Sequence, residues 1–228
     1  MALTDSLSFY YKCDENAAST TVADATSTNA ATSSTNTSNL YDASGKINSC
    51  FTFNGSSESC VTNGNVGITG DAARTINAWI YPVSNTSNPY LIAWGASQYY
   101  DFFGMRLTDS GNLIAWIYGA EFTIGAVSNS AWSMITLTHD GTTVRGYING
   151  TEGNTEAFTL TTKDTALVFG SYWNQSSNYF DGKMDEIGVW SRALSQAEIT
   201  SLYNSGSGLA YPFGSEAAPL KIFDVRFG

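Results

Sequence analysis

The closing part of the chain, residues 179–206, places a strand, a turn and a single helix in a fixed order. Residues 183–190 predict a strand, in which four of the eight residues are apolar and none is proline. An acidic pair, Asp185 and Glu186, lies at the centre of this strand. A strand needs pairing partners from earlier in the chain, so this segment requires a sheet architecture that ends in one short helix.

The helix start is defined by residue types at fixed spacing. Ser195 occupies the N-cap position and Glu198 follows three residues later, which is the pattern of a capping box. Leu194 and Ile199 are spaced to close over the cap as a hydrophobic staple. Gly206 is expected to end the helix.

Strand patterns separated by turn residues recur about every ten residues along the chain, which is typical of an all-β sandwich. In residues 75–82 and 113–118, both alternating sets of positions are rich in apolar or aromatic residues. Such strands fit two stacked sheets, in which one side faces inward and the other lines a concave surface. Asp140-Gly141 has the residue types of a hairpin turn. Helix is predicted only for residues 196–204.

Together these segments resemble laminin-G-like, concanavalin-A-like domains, which usually close with DG-x-hydrophobic-DE and then ALS-x-x-E-I-x-x-LY. Earlier segments are also similar to strands of that family: residues 10–15, 45–55, 75–82 and 132–150. The chain departs from the family pattern at Cys13, where leucine is usual, and at Asn54, where aspartate is usual.

The resemblance implies an all-β fold, a concanavalin-A-like jelly-roll sandwich of two antiparallel sheets with one short C-terminal helix. Residues 1–211 are expected to form this laminin-G-like jelly-roll domain, since no linker divides them. In the tail, residues 212–228, Phe223, Val225 and Phe227 recur at strand spacing. We expect this strand to join a sheet edge of its own domain or of a neighbouring subunit, where it would anchor a homo-oligomer.

The charge balance narrows the range of partners. With 20 acidic and 10 basic residues the formal net charge is −10. Nucleic-acid binding needs clustered Lys and Arg, so a nucleic-acid partner is not expected. An acidic surface instead suits solubility or hard cations such as calcium. No segment reaches the length of a transmembrane span, so membrane insertion is not expected.

Residues 1–5 contain neither a basic region nor an apolar run, so the sequence predicts no signal peptide. Members of the family are mostly extracellular. Three routes are consistent with both points: removal of a signal, export by another route, or delivery in a virion. The expected location is a virion or an extracellular surface.

Two further predictions concern the state of the cysteines and the order of residues 16–39. The odd cysteine count predicts three buried thiols, with a Cys50–Cys60 or Cys13–Cys50 bridge as the alternative. Residues 16–39 are dominated by Ala, Ser, Thr and Asn, which predicts a long surface or mobile loop. The alternative for that loop is a ligand-contacting rim.

The residues required for catalysis are missing from the sequence. Hydrolases of this fold carry two catalytic carboxylates on an E-x-D-x-E strand, and no such strand occurs here. The nearest acidic pair, Asp185 and Glu186, is expected to point to opposite faces of its strand. His139 is the only histidine, and no Gly-x-Ser-x-Gly elbow accompanies it. The sequence therefore predicts a protein that is not an enzyme.

Calcium is the cofactor that the resemblance implies. Relatives often hold a structural calcium between the first strand, an early glycine turn and the last strand. Carried over by position, these are Asp14, Asn54, Gly55 and Asp185. The alternative is that Asp14 and Asp185 only accept hydrogen bonds from backbone amides.

Aromatic side chains are the second group of candidate binding residues, because sugar rings stack their C–H faces on exposed aromatic planes. Trp79 and Trp190 lie within family strand motifs and are assigned to packing. The aromatics that flank loops or the expected concave face are the candidates: Trp94, Tyr99, Tyr100, Trp116, Tyr118 and Trp173.

These observations predict a non-catalytic surface or virion-associated binding module. Its expected partner is a glycan or another virion or surface protein subunit, as in phage decoration or adhesion proteins. Two alternatives are a glycoside hydrolase or polysaccharide lyase of the same fold, and a purely architectural subunit whose face is filled by a neighbour.

Overall fold

The computed structural model describes residues 1–214. They form two antiparallel sheets of eight strands each. Strand β16 of sheet A pairs with β5 along its first half and with β1 along its second half. The strands of sheet A are, in spatial order, β14 (Thr151–Ala157), β13 (Thr143–Ile148), β12 (Ser133–His139), β7 (Arg74–Ser84), β16 (Asp181–Trp190), β5 (Cys50–Asn54) and β4 (Tyr41–Asp42), with β1 (Leu7–Tyr11) beside β16.

Sheet B packs face to face on sheet A. Its strands are, in spatial order, β11 (Ala120–Ala126), β10 (Asn112–Ile117), β9 (Phe102–Leu107), β8 (Tyr90–Gly95), β15 (Ala166–Phe169), β6 (Cys60–Asn65), β3 (Ala31–Ser33) and β2 (Thr21–Val22). The two α-helices are α1 (Thr37–Leu40) and α2 (Gln196–Tyr203). The architecture confirms the predicted jelly-roll sandwich, and the scarcity of helix is confirmed as well.

The core lies between the sheets and is built from alternate strand positions, which point inward because successive side chains of a strand face opposite ways. The inward side chains of β7 and β10 are completely buried: Ile76, Ala78, Ile80, Leu113, Ala115 and Ile117. Burying one Ile or Leu side chain stabilises the fold by roughly 1.5–3 kcal/mol. The remaining side chains of each strand therefore lie on the outer surface of its sheet.

The expectation of a long surface or mobile loop over residues 16–39 is wrong in part, because most of these side chains are exposed but the stretch contains regular elements. This stretch forms β2, β3 and α1, and it extends sheet B beyond β6. Asp24 organises it, because its carboxylate accepts hydrogen bonds from the backbone amides of Tyr10, Thr28 and Asn29 at 2.8, 2.9 and 2.9 Å. Small polar residues therefore order the segment through hydrogen bonds, although they bury little apolar area.

Helix α2 and the residues that follow it cover the outer face of sheet A. Tyr203 stacks on Trp79 with their ring centroids 5.7 Å apart, and Ile199 and Leu202 are buried in the same apolar cluster as Trp190. The assignment of Trp79 and Trp190 to packing is confirmed, since they are 2% and 0% exposed.

The predicted capping box is confirmed. The Ser195 hydroxyl accepts a hydrogen bond from the amide of Glu198, whose carboxylate accepts one from the amide of Ser195 at 2.8 Å. The helix ends earlier than predicted, at Tyr203, because Asn204 adopts the left-handed conformation (φ 47°) that closes the last turn. Gly206 follows in a short 3₁₀ turn, Asn204–Gly206.

The chain remains packed beyond the expected domain boundary at residue 211. Phe213 is 8% exposed, and its ring centroid lies 5.2 Å from that of Tyr10. The Tyr211 ring stacks on Tyr10 at 5.3 Å. The strand pattern expected to join a sheet edge falls in residues 215–228, which lie outside the described residues.

The predicted buried thiols are confirmed, since Cys13, Cys50 and Cys60 are all free and buried. Burial raises the pKa of the Cys50 thiol to about 12, so this cysteine stays a neutral, unreactive thiol. In the part of the chain that the structure describes, no helix is both long enough and apolar enough to cross a membrane.

The capping box generates a stability prediction. Replacing Ser195 with alanine removes the side-chain acceptor for the first turn and should lower the free energy of unfolding by ~1 kcal/mol. Ser201→Ala is the matched control, because Ser201 is exposed on the same helix and bonds only to the Ala197 carbonyl. Urea unfolding of both variants measures the difference, and equal midpoints would contradict a stabilising role for the cap.

Candidate functional site

The outer face of sheet B differs from that of sheet A. Sheet A is covered by α2, whereas within residues 1–214 no helix lies on sheet B. Its outer face instead bears a contiguous group of aromatic side chains, called here the aromatic face: Tyr90, Phe102, Trp116, Tyr118, Tyr172 and Trp173. Trp116 is central, with ring centroids 4.3 Å from Phe102 and 4.7 Å from Tyr90.

Strand alternation and small neighbours place Trp116 on this face. Trp116 points outward because Ala115 and Ile117 point into the core. It pairs across the sheet with Gly104, which in turn pairs with Ala93. A Cβ atom on Gly104 would lie 2.4 Å from the Ala93 Cβ, so only glycine fits there.

The surrounding strands and one loop supply the rest of the aromatic face. Tyr172 and Trp173 belong to the segment between β15 and β16, and the Tyr172 ring lies 4.7 Å from Tyr90. The Trp173 ring lies 6.3 Å from Phe102 and is 37% exposed. Phe102 and Trp116 are 0% and 8% exposed, so the centre of the aromatic face is packed. The surface that a ligand can reach is the margin, where half-buried tyrosines and Trp173 lie.

An open cleft of about 430 Å³ adjoins the aromatic face. Its apolar walls are Tyr90, Trp116 and Tyr172, and its polar rim is Asn88, Arg106, Glu121 and Asn178. A few polar groups that converge beside aromatic walls are typical of small-molecule sites.

An ion pair forms part of the rim of this cleft. Arg106 Nη2 donates to both carboxylate oxygens of Glu121, at 3.0 and 2.9 Å, and Nη1 donates to Asn88 Oδ1 at 3.3 Å. Arg106 lies on β9 and Glu121 on β11, so the guanidinium reaches across β10. The arginine is held on both sides, and its charge is matched within the site.

The two asparagines of the rim adopt unusual backbone conformations. Asn88 and Asn178 have φ values of 50° and 51°, in the left-handed region that few non-glycine residues occupy. They are joined, because Asn178 Nδ2 donates to the carbonyl of Ser87 at 2.5 Å. Asparagine enters this region more readily than most other residues, so its side chain suits both turns.

The structure brings together part of the predicted aromatic set. Trp116, Tyr118 and Trp173 belong to the aromatic face. Trp94 lies in the core between the sheets, 0% exposed, and its Nε1 donates to the Ile68 carbonyl at 3.3 Å. It points inward because it occupies the opposite strand phase from Ala93.

Tyr99 and Tyr100 lie on the loop before β9, next to the β10–β11 turn. Tyr99 is 68% exposed, and its ring approaches Gly119, where an added Cβ would lie 2.4 Å from Cε1. Tyr100 donates its backbone amide to the Tyr118 carbonyl at 2.8 Å. Both tyrosines therefore flank the end of the aromatic face.

Sequence reasoning missed most of the cleft: Tyr90, Tyr172, Asn88, Arg106, Glu121 and Asn178. Alternation in β9 could have found Arg106, since Phe103, Met105 and Leu107 are apolar while Arg106 occupies the other phase. The two asparagines carry no such signal, because their positions depend on loops that meet only in the folded chain.

The residues of the predicted calcium site fall in two places. Asp14 Oδ1 accepts hydrogen bonds from the amide and hydroxyl of Ser49 at 3.2 and 2.7 Å. Asn54 pairs with Asp181, which is four residues along β16 from Asp185, or roughly 13 Å at strand rise. Gly55 lies one residue further away, opposite Phe180. The arrangement separates the Asn54-Gly55 turn from Asp185.

Asp185 itself is completely buried. One carboxylate oxygen accepts a hydrogen bond from the Ile47 amide at 2.8 Å, and the other, Oδ1, has no partner among the described residues. Across residues 1–214 no group of three or more His, Cys, Asp and Glu side chains is arranged to hold a metal ion. Calcium binding stays a prediction, and thermal melts with calcium and with chelator test it.

The expectation that Asp185 and Glu186 point to opposite faces is wrong. The pairing of β16 with β7 shifts after Asp185, and Glu186 has a left-handed φ of 51°. Met184 and Ile187 both point into the core, so this β-bulge turns both acids to the outer face of sheet A. The Glu186 carboxylate accepts a hydrogen bond from the Tyr10 hydroxyl there.

Burial, rather than strand geometry, keeps this acidic pair from a substrate. Asp185 and Glu186 are 0% and 2% exposed. Burial raises the pKa of Asp185 to about 8 and that of Glu186 to about 7. In the absence of a cation, both groups therefore gain protons on folding near neutral pH.

Comparison with known proteins agrees with this architecture. A laminin-G-like family model, described as the concanavalin A-like lectin/glucanases superfamily, matches residues 53–200. The chain therefore belongs to this superfamily. A search of curated proteins finds no match.

Several solved structures share the fold. Domain 4 of AbnA, an extracellular GH43 arabinanase from Geobacillus stearothermophilus in complex with arabinotriose, superposes with a TM-score of 0.65 at 19% identity, over 85% of this chain and 96% of that one. The binding domain of Paraclostridial Mosquitocidal Protein 1 gives 0.69 at 18%, over 89% of this chain and 52% of that one.

A third likeness is to Trypanosoma rangeli sialidase in complex with sialic acid, with a TM-score of 0.67 at 11% identity, over 91% of this chain and 34% of that one. At such low identities these likenesses establish the fold alone. The chain spans about half the length of the toxin binding domain and a third of the sialidase chain.

The buried acids generate a pH prediction. Because both pKa values are raised in the folded state, their protonation stabilises the fold at acid pH, and this contribution is lost as pH rises towards 8. Wild-type protein should therefore melt at a lower temperature at pH 8 than at pH 5. The loss is on the order of 1 kcal/mol for each group and pH unit in the window between the folded and unfolded pKa values.

Asp185→Asn should reduce this pH dependence, because the amide stays neutral at every pH. Asp181→Asn, on the same strand, is the matched control and should leave the dependence unchanged. Calcium binding predicts a different result at pH 8: added calcium should raise the melting temperature of the wild type but not that of Asp185→Asn. Thermal melts at both pH values, with calcium and with chelator, separate the two cases.

Proposed function

We propose that this chain is a non-catalytic binding module that takes a glycan on the aromatic face of sheet B. One observation carries the proposal. Of the two outer sheet faces, one is covered by the closing helix, whereas the other presents an aromatic cluster beside a polar cleft.

The composition of the site suits a sugar. A sugar ring has apolar C–H faces and hydroxyl groups around its edge, so it needs a flat apolar surface and hydrogen-bonding groups at the margin. Trp173 offers a partly exposed ring, while Asn88, Asn178 and the Arg106–Glu121 pair offer polar atoms at the rim. Asparagine and tyrosine can each donate and accept, as sugar hydroxyls do.

The comparisons support a binding role in general terms. One similar structure is a domain of an arabinanase in complex with arabinotriose, and another is the binding domain of a toxin. Both structures share fewer than one residue in five with this chain. They are consistent with a glycan or receptor ligand but identify none for this chain.

A hydrolytic role needs two carboxyl groups about 5–5.5 Å or 6.5–9.5 Å apart across a cleft. The only carboxylate among the described residues that line the cleft is Glu121, and Arg106 neutralises it. The Asp185–Glu186 pair is buried on the outer face of sheet A, away from the cleft. A glycoside hydrolase or lyase activity therefore lacks a supporting observation in this site.

We also propose that the module works on a virion or an extracellular surface. There, a subunit of the same assembly could occupy the aromatic face instead of a glycan, which is the architectural alternative. Residues 215–228 are proposed to provide attachment to a neighbouring copy. Measuring the assembly state of the purified protein together with glycan binding distinguishes these roles.

The glycan proposal predicts a selective effect of one tryptophan. Trp173→Ala should weaken binding about tenfold, equivalent to ~1.4 kcal/mol, for the glycans that the wild type binds on a glycan array, because the exposed ring is removed. Trp132→Ala is the matched control, since Trp132 is half-buried and packs on Tyr81 of sheet A at 5.6 Å. It should bind like the wild type.

A glycan array followed by calorimetry provides the measurement, and an assay for released reducing ends on the same glycans tests catalysis. Equal binding by Trp173→Ala and the wild type would show that the glycan does not bind at Trp173 on the aromatic face. Sustained product release that depends on Glu121 would replace the binding proposal with the enzymatic one.

A further inference from the structure

We propose that the site selects uncharged glycans, and that the Arg106–Glu121 ion pair is the specificity determinant that excludes sugars bearing a carboxylate. This inference rests on the proposed glycan-binding function. It concerns the charge class of the ligand, which neither the fold nor the family defines.

The ion pair is asymmetric in its exposure to solvent. The side chain of Arg106 is 13% exposed and that of Glu121 is 48% exposed. A ligand that enters the cleft therefore meets mainly the carboxylate, while the guanidinium lies beneath it between Glu121 and Asn88. The cation is already satisfied at both ends and has little contact with solvent.

This arrangement opposes an anionic ligand in two ways. A sugar carboxylate at the rim would lie close to Glu121, and like charges repel more strongly beside a low-dielectric aromatic wall than in bulk water. The formal net charge of −10 adds a long-range repulsion. For Arg106 to capture the anion, Glu121 would first have to leave a bidentate hydrogen bond.

The remaining polar atoms of the cleft are neutral. Among the described residues, Asn88 Nδ2, Asn178 Oδ1 and the hydroxyls of Tyr90 and Tyr172 have no hydrogen-bond partner, although all four residues line the cleft. Burial raises the pKa of Tyr90, which keeps its hydroxyl protonated. Neutral donors and acceptors of this kind match the hydroxyl groups of an uncharged sugar.

Glu121→Gln tests the inference, because glutamine keeps the shape of the side chain and removes its charge. The probes are paired oligosaccharides that differ only at C6, glucose against glucuronate and galactose against galacturonate. We expect the wild type to bind the neutral member of a pair at least tenfold more tightly. Glu121→Gln should reduce that ratio at least tenfold, because it removes the repulsion and frees Arg106 to attract the sugar carboxylate. Added sodium chloride should screen this attraction in the variant and so raise its ratio again in part.

Two further variants control the measurement. Glu156→Gln makes the same change in net charge on the exposed strand β14 of sheet A and should keep the wild-type ratio. The double variant Arg106→Gln/Glu121→Gln removes both charges and should gain less binding of the carboxylated sugars than Glu121→Gln, because it lacks the guanidinium that the single variant frees. Melting temperatures confirm that each variant is folded, and if Glu121→Gln is not, Glu121→Ala replaces it in the same comparison.

The outcomes separate this inference from the proposed function. Wild-type protein that binds the carboxylated member as well as the neutral one overturns the charge selection and leaves glycan binding standing. A ratio that Glu121→Gln does not change, while neutral sugars still bind, also overturns it. Absence of binding to either member of every pair, across a full array, overturns the proposed glycan function itself.

Discussion

The antiparallel pairing of β16 with its neighbours is the interaction on which the rest of the structure depends. β16 pairs with β7 on one side and with β5 and β1 on the other, so it joins the two ends of the described chain within one sheet. Trp190 extends this connection, because its Nε1 donates to the carbonyl of Leu3 at 2.7 Å. Since these partners are far apart in sequence, sheet A forms only when the chain is nearly complete.

The same strand decides the asymmetry of the molecule. It leads directly into α2, whose cap and apolar side chains seat the helix on the outer face of sheet A. Its bulge at Glu186 turns a second acid to that face, where both acids are buried. The helix-covered face is thus used for packing, and the aromatic face of sheet B is left as the candidate surface for a ligand.

Features that depend on neighbouring residues could be predicted. The capping box at Ser195, the inward alternation of β7 and β10, and the burial of Trp79 and Trp190 were all readable, because strand period and cap geometry are properties of short segments. Features that depend on distant pairing could not. Residues 16–39 have a loop composition but are ordered through Asp24, and adjacent acids share a face because the β16 pairing shifts between them.

The sequence by itself determined the class of fold, since alternation and turn residues indicate an all-β sandwich and the closing segment resembles laminin-G-like domains. Only the tertiary structure decided which aromatics meet. Trp94 and Trp116 carry the same sequence signal, yet one fills the core and the other lies at the centre of the aromatic face. Their strand phase, and the loops that bring Asn88 and Asn178 to the cleft, are set by contacts between strands far apart in sequence, and no local pattern encodes such contacts.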